Sequence, residues 1–420
     1  MGKWRESKSE FYEDRLFVIN KKFLQILGRW PYQAKRSRIF LLSLYFVGIL
    51  TVVVAELIHF VRVIRIKDIP KIIDCLPALI FTYGAMVMIF NSMIKFAEMR
   101  QILGKIEENW LSARDAEEYA LLKEFAEEGR FLIIGYTLCI IGSLATYSLE
   151  PLVPQILDKL SPLNESRPIK TFLEVEYLVD HRRYYTAIYL HNMQAACWVI
   201  LTVLAIDAYF VMIVQHACSM FAVLGLRIGK IGSGSPERIA SGRIIECLKL
   251  HKSCIEFAGL IESSFTASLL LQLFLNMVVI SVTGVQTINR REQPGEMLKF
   301  SLSSLSVMTR LFYISWPGQK MIDHSLRVRE LVCSVAWYEL PAGSRRLLLL
   351  MLLRSSRACH ITAGGMFPMN FETYCRVSFR GFIKITWPSI SLSLSLSLSP
   401  ALFQLMQTSM SYFTMILSTQ

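Results

Sequence analysis

The sequence predicts an all-α membrane protein with seven transmembrane helices, a cytoplasmic N-terminus and an extracellular C-terminus. Three observations carry this. The 420 residues are 53% hydrophobic and 19% charged, with a mean hydropathy of +0.41, whereas a soluble domain carries about 25% charge. Several apolar runs reach the roughly 20 residues that cross a bilayer as a helix. Basic residues are also uneven: alternate segments beginning with the N-terminus hold 29 and the opposite ones 12, which places the first set in the cytoplasm. The formal net charge of +12 follows from that bias. It forms no single patch and gives no reason to expect nucleic acid.

Residues 1–37 mix charge with short apolar groups such as Phe23-Leu24 and Ile26-Leu27. They suit a solvated tail or an amphipathic helix on the membrane surface. No cleavable signal is read there, because the first long apolar run starts at Ile39. Spans are expected at 38–63, 75–94, 131–149, 186–224, 264–288 and 296–316, with a seventh beginning at Met366. An acidic helical stretch is expected around 115–128, and an amphipathic helix over 238–261 leads into the fifth span. The fourth run is too long for the hydrocarbon and should project beyond it. The loop 150–185 is polar and holds four prolines. Residues 320–357 read as mostly helical.

The Asn-x-Ser/Thr sequon at Asn164 falls in a segment assigned to the outside, so Asn164 is a glycosylation candidate. Nine cysteines make an odd number, with no Cys-x-x-Cys pair. They support neither a disulfide framework nor a zinc site and are expected as small packing residues. No catalytic or metal-ligand spacing and no Gly-rich phosphate loop occurs, so neither an enzyme nor a cofactor is expected.

Ionisable residues inside the membrane are costly and face the bundle interior. Glu56, His59, Asp207, His216 and Arg310 qualify. Asp207 and Arg310 sit at similar depths on antiparallel spans. Separate polar contacts are the expected reading, with a direct pair as the alternative.

The C-terminal third carries a set of motifs: Trp316-x-Gly318-Gln319, Trp337-Tyr338, Arg345-Arg346-x-Leu348-Leu349, Arg354-Ser355, Thr362-Ala363-Gly364-Gly365-x-Phe367-Pro368-Met369, Glu372-Thr373 and Ser411-Tyr412-Phe413-Thr414. His216-x-Cys218 and Gly225 accompany them. In order, and up to Arg376 in spacing, this set resembles the insect odorant receptors. The resemblance implies a tuning subunit that joins a shared odorant receptor coreceptor in a hetero-tetramer. It further implies a volatile ligand, a ligand-gated non-selective cation channel, and a place in the plasma membrane of a sensory neuron dendrite. A gustatory-type receptor shares the architecture, and a G-protein-coupled receptor is the rival of opposite orientation. The latter's Asp-Arg-Tyr and Asn-Pro-x-x-Tyr motifs are absent. No internal repeat points to a transporter.

The resemblance implies a pocket in the outer halves of the second, third, fourth and sixth spans. By depth and residue type the candidates are Tyr83, Val87, Leu144, Tyr147, Gln194, Trp198 and Met308, which mix aromatic bulk with a few polar groups. Ordinary bundle packing or lipid contact is the plainer reading of each.

The seventh span is interrupted. Met366 to Arg376 supplies 11 residues, and a Ser-Leu alternation over 391–399 follows. A lone strand cannot cross lipid, because its backbone groups stay unpaired. A TC dinucleotide repeat translates as alternating Ser and Leu. Val377-Ser378 can be encoded by a donor-like GTGAGT and Phe403-Gln404 by an acceptor-like TTTCAG. Residues 377–404 therefore read as a translated intron, with a genuine lineage-specific insertion as the alternative. Residues 1–376 and 405–420 then form one seven-helix domain. Removing the 28 residues joins Arg376 to Leu405 and restores an uninterrupted helix. Phe371, Tyr374, Gln407, Met410 and Phe413 are the expected pore-lining residues. Met415 is the expected hydrophobic gate, which conducts on becoming wet.

Overall fold

The computed structural model describes residues 11–160, 173, 175–180, 183–231, 237–290 and 292–386. Among these the chain is almost entirely helical. The helices are α1 (Val18–Ile26), α2 (Lys35–Ile66), α3 (Ile69–Ile94), α4 (Phe96–Leu111), α5 (Ala116–Leu149) and α6 (Val153–Leu160). They continue with α7 (Tyr185–Gly229), α8 (Glu237–Asn289), α9 (Pro294–Ser334), α10 (Ala342–Ser355) and α11 (Phe371–Thr386).

Helices cover the first six expected spans, and several run further than expected. The acidic stretch and the third span are one 34-residue helix, α5. The amphipathic segment and the fifth span are one 53-residue helix, α8. At 1.5 Å per residue α8 extends about 80 Å, well beyond the hydrocarbon. No glycine turn or cap interrupts either segment, so the backbone has no reason to break where the side chains change from apolar to charged. In α9 the helix continues through Pro317. Helix starts follow local chemistry: the Asp115 carboxylate accepts from the Glu118 N–H at 2.9 Å, and Asp68 accepts from the Lys71 N–H at 3.3 Å.

Among the described residues, five helices are long and apolar enough to cross a membrane: α2, α3, α5, α7 and α8. The sixth expected span lies in α9, whose apolar run is diluted by serines, Lys299 and Arg310. The seventh lies only partly within the described residues. α7 is the hub, buried almost without interruption from Leu204 to Leu224. α2 is the reverse case. Phe40, Val47 and Leu50 are 68%, 64% and 57% exposed, an apolar face suited to lipid.

The N-terminal segment departs from both readings of it. Residues 11–30 are docked inward, with Phe11, Tyr12, Leu16, Phe17, Leu24, Leu27 and Trp30 all buried. The Tyr12 hydroxyl donates to the Leu103 carbonyl at 2.6 Å, and Trp110 of α4 packs edge-on to Phe11 and Phe17. The aromatic residues that suggested a membrane surface instead fill a seam between α4 and α7.

Beyond the apolar spans, charge ties the helix ends together. Arg227 of α7 grips Glu118 of α5 through two bonds of 2.6 and 2.8 Å. Lys230 meets Asp115 and Glu117, each at 2.7 Å, and Arg114 meets Glu246 at 2.6 Å. Lys230 holds the Asp115 carboxyl below the usual carboxylate range. All nine cysteines are free thiols, and five of them are buried.

Candidate ligand pocket and pore-helix root

The intramembrane polar residues meet at one point. Arg310 donates from Nε to Asp207 Oδ2 at 2.7 Å and from Nη2 to Asp207 Oδ1 at 3.1 Å. The direct pair is therefore formed, against the expectation of separate contacts. Three other elements complete it. The Tyr136 hydroxyl of α5 donates to Asp207 Oδ2 at 3.0 Å, and Arg310 Nη2 donates to Gln272 Oε1 of α8 at 2.5 Å. Met88 Sδ of α3 lies 3.5 Å from the same nitrogen. Gln272 is held in turn by Ser268 at 2.7 Å, and Tyr136 stacks on Tyr313 with ring centroids 4.0 Å apart. A fully partnered pair of this kind offsets the desolvation that burial imposes on each charge. Tyr136 and Gln272 were not singled out in the sequence, although each is a hydrogen-bonding residue inside an apolar run.

The remaining ionisable residues are handled separately. Glu56 of α2 is buried and accepts from the Thr82 hydroxyl of α3 at 3.2 Å. His216 lies 3.1 Å from the Asn109 amide of α4. His59 stands half-exposed near the outer end of α2.

The seven pocket candidates do not converge on one seam. Leu144 and Tyr147 are half-buried on α5, and the Tyr147 hydroxyl reaches α9, where it donates to the Lys299 carbonyl at 2.8 Å. Ser143 meets Ser306 at 3.1 Å across the same seam. Met308 is half-buried on α9 and packs against the main core. Gln194 and Trp198 of α7 turn toward α2. A Cβ at Gly48 would lie 2.7 Å from Gln194 Nε2 and 3.2 Å from Trp198 Nε1, so a side chain there would push Gln194 aside. Trp198 also packs edge-on to Tyr45. Val87 is half-buried and Tyr83 is 39% exposed on α3.

The Thr362–Met369 motif proves to be a clasp. Thr362–Ala363 and Phe367–Pro368 pair as a two-residue antiparallel ribbon. Its turn needs left-handed backbone at Gly364 and Gly365, whose φ angles are +66° and +72°. The Gly364 N–H donates to the Thr266 carbonyl at 3.0 Å, and the Gly365 N–H to the Thr266 hydroxyl at 3.2 Å. Thr362 donates to Glu262 at 2.6 Å. On the other side the Met369 carbonyl approaches Gly318 so closely that a Cβ there would sit 2.0 Å from the oxygen. The ribbon thus joins the root of α11 to α8 and α9 together.

Phe371 and Tyr374, expected to line a pore, are half-buried and pack against Phe312 of α9, with centroids 5.9 and 5.6 Å away. Within one chain their rings face the bundle, and Phe312 is the partner that sequence reasoning missed. α11 continues past Arg376 as far as Thr386. Gln407, Met410, Phe413 and Met415 lie outside the described residues, as does Asn164.

Long apolar helices around a buried ion pair, with a short ribbon rooting the last helix, define an α-helical integral membrane protein. The chain belongs to the 7tm odorant receptor family, whose model matches residues 68–378. It is similar to odorant receptor Or2 of Anopheles gambiae, 23% identical over 170 residues, covering 37% of this chain and 45% of that one. It is also similar to odorant receptor 13a of Drosophila melanogaster, 25% identical over 158 residues, covering 36% and 38%. The chain thus spans less than half the length of these relatives. The structure of the olfactory receptor OR5 from Machilis hrabei in complex with eugenol matches with a TM-score of 0.74 at 12% identity, covering 90% of this chain and 99% of that one. At that identity the likeness is one of fold.

Proposed function

We propose that the chain is the odorant-binding subunit of a ligand-gated, non-selective cation channel. It assembles with a shared coreceptor as a hetero-tetramer in the plasma membrane of a sensory neuron dendrite. The observation that carries this reading is the odorant receptor family match across three quarters of the chain. The solved relative with eugenol bound supports a small volatile organic ligand. The matching family model also sets the gustatory reading aside.

In this reading the N-terminus is cytoplasmic, on the distribution of basic residues. The pocket lies along the α5–α9 seam at Leu144, Tyr147 and Met308, with Tyr83 and Val87 on α3 beside it. Gln194 and Trp198 shape the α7–α2 seam that bounds it. The pore is lined by Phe371 and Tyr374 at the start of α11 and by Gln407, Met410 and Phe413, with Met415 as its gate. The family match ends at residue 378, two residues after Arg376. That end point supports reading 377–404 as foreign to the functional chain.

The decisive experiment is co-expression with a coreceptor in a heterologous cell, challenged with an odorant panel. Odorant-evoked cation current that requires both subunits supports the proposal. Its absence across a broad panel, with the receptor at the cell surface, refutes it. An N-terminal tag stained only after permeabilisation excludes the G-protein-coupled orientation.

A further inference from the structure

A second cluster of polar groups lies away from the pocket, where the docked N-terminal segment meets α4, α5 and α7. It lines a narrow, partly open cleft with room for about one small species. Apart from His216, whose Nε2 is already met by the Asn109 amide, four residues from four different elements line it with polar side chains. These are Asn20 of α1, Trp110 of α4, Arg130 of α5 and Gln215 of α7. Asn20 and Gln215 are each 1% exposed and Trp110 is 8% exposed. Asn20 Nδ2 and Oδ1, Trp110 Nε1, Arg130 Nε and Gln215 Nε2 are all buried without a hydrogen-bond partner among the described residues.

Orphaned polar atoms are rare in folded proteins, and several facing one space call for an occupant. The donors here outnumber the acceptors four to one. The Gln215 assignment is secured by Lys320, whose ammonium donates to Oε1 at 3.4 Å and so leaves the amide nitrogen toward the cleft. Gly129 makes room for that side chain: a Cβ there would sit 3.3 Å from Gln215 Cγ. No carboxylate lines the cleft, and Arg130 adds a full positive charge. A water molecule has two lone pairs and cannot satisfy four N–H donors. A spherical anion accepts from all of them at once, as anions do in clusters of N–H groups.

We propose that this cleft binds a small monovalent anion of chloride size and that the anion fastens the N-terminal segment to the cytoplasmic half of the bundle. The site stands apart from the odorant pocket and needs no part of the channel reading.

The test uses the full-length chain in nanodiscs of zwitterionic lipid, with sodium chloride replacing sodium gluconate at constant ionic strength. The expected result is an unfolding midpoint that rises saturably with chloride. Iodide should quench a saturable fraction of tryptophan fluorescence, and that fraction should vanish in Trp110→Phe. Trp110→Phe keeps the ring and removes one donor, so it should fold and bind chloride about tenfold more weakly. Gln215→Leu should do the same, and Arg15→Gln, which alters a nearby exposed ion pair with Glu127, should bind normally. Equal midpoints in chloride and gluconate would overturn the proposal. So would an unchanged chloride response in both Trp110→Phe and Gln215→Leu, or stabilisation by phosphatidic acid alone with none by chloride.

Discussion

Asp207 of α7 and Arg310 of α9 form a two-pronged ion pair of 2.7 and 3.1 Å inside the membrane-spanning bundle. Tyr136 and Gln272 are bound to its two ends. Removing one member strands the other charge. Asp207→Asn or Arg310→Met alone should therefore cost about 3–5 kcal/mol and sharply reduce surface expression. The reciprocal exchange, Asp207→Arg with Arg310→Asp, should recover part of the loss, since Tyr136 and Gln272 remain oriented for the original polarity. Surface biotinylation of the three variants measures this. Independent, additive effects with no recovery would show that the pair is not an energetic unit.

The Glu118–Arg227 pair makes the same kind of demand where the charged ends of α5 and α7 meet. Glu118 is 2% exposed and receives both arms of the guanidinium. Glu118→Gln should lower the melting temperature of the purified receptor far more than Glu246→Gln, because the Glu246–Arg114 pair is roughly half exposed. Differential scanning fluorimetry on the two variants gives the comparison.

Glycine substitutions should separate close approach from open space. A Cβ at Gly318 would lie 2.0 Å from the Met369 carbonyl, whereas one at Gly104 meets nothing within 4 Å. Gly318→Ala should displace the root of α11 and abolish surface expression or response. Gly104→Ala should stabilise α4 by about 0.5–1 kcal/mol through helix propensity. Expression and thermal stability of both variants check the contrast.

His324, in the part of α9 beyond the sixth span, packs edge-on to Phe125 with centroids 5.1 Å apart. Burial, and then the nearby Lys320 and Arg327, push its imidazole down to about 4. A value below that of the unfolded chain means that the unfolded chain takes up the proton first. The stability contributed by neutral His324 is present above pH ~6.5 and lost as pH falls toward 4. Thermal midpoints should drop between pH 7.5 and 5, and His324→Phe should flatten that drop. An identical pH profile in the variant would exclude His324 as its source.

Residues 377–404 can be tested directly. Deleting them should convert a silent subunit into one that gives odorant-evoked current with the coreceptor. Transcript sequencing should find them absent from the mature message. Equal currents from both forms, or a message that always retains the segment, would overturn the intron reading.

Hydropathy was enough to place the five most apolar spans, because burial in lipid demands long apolar runs. The flanking helices at 115–128 and 238–261 were legible as helices too. Their fusion with the neighbouring spans into α5 and α8 was not, because hydropathy marks where side chains change character and not where the backbone breaks. The inward docking of Phe11, Tyr12 and Phe17 could not be read from periodicity, since an aromatic residue suits a membrane interface and a protein seam equally. Asp207 and Arg310 stood out singly as charges in apolar text. Their meeting depended on the rotation of α7 against α9, which spacing within one helix does not reveal. The division of the pocket candidates has the same origin: depth placed Gln194 and Tyr147 together, while azimuth sent them to different neighbours.

The ribbon at Ala363–Phe367 is anchored to Thr266 of α8 on one side and lies against Gly318 of α9 on the other. The last helix is in effect hung from a post sunk in two beams, so its foot cannot slide or rotate by itself. Any bending has to begin above Met369. Amide hydrogens at Gly364, Gly365 and Met369, each held by a hydrogen bond, should exchange far more slowly than the unpaired amides of an ordinary exposed turn.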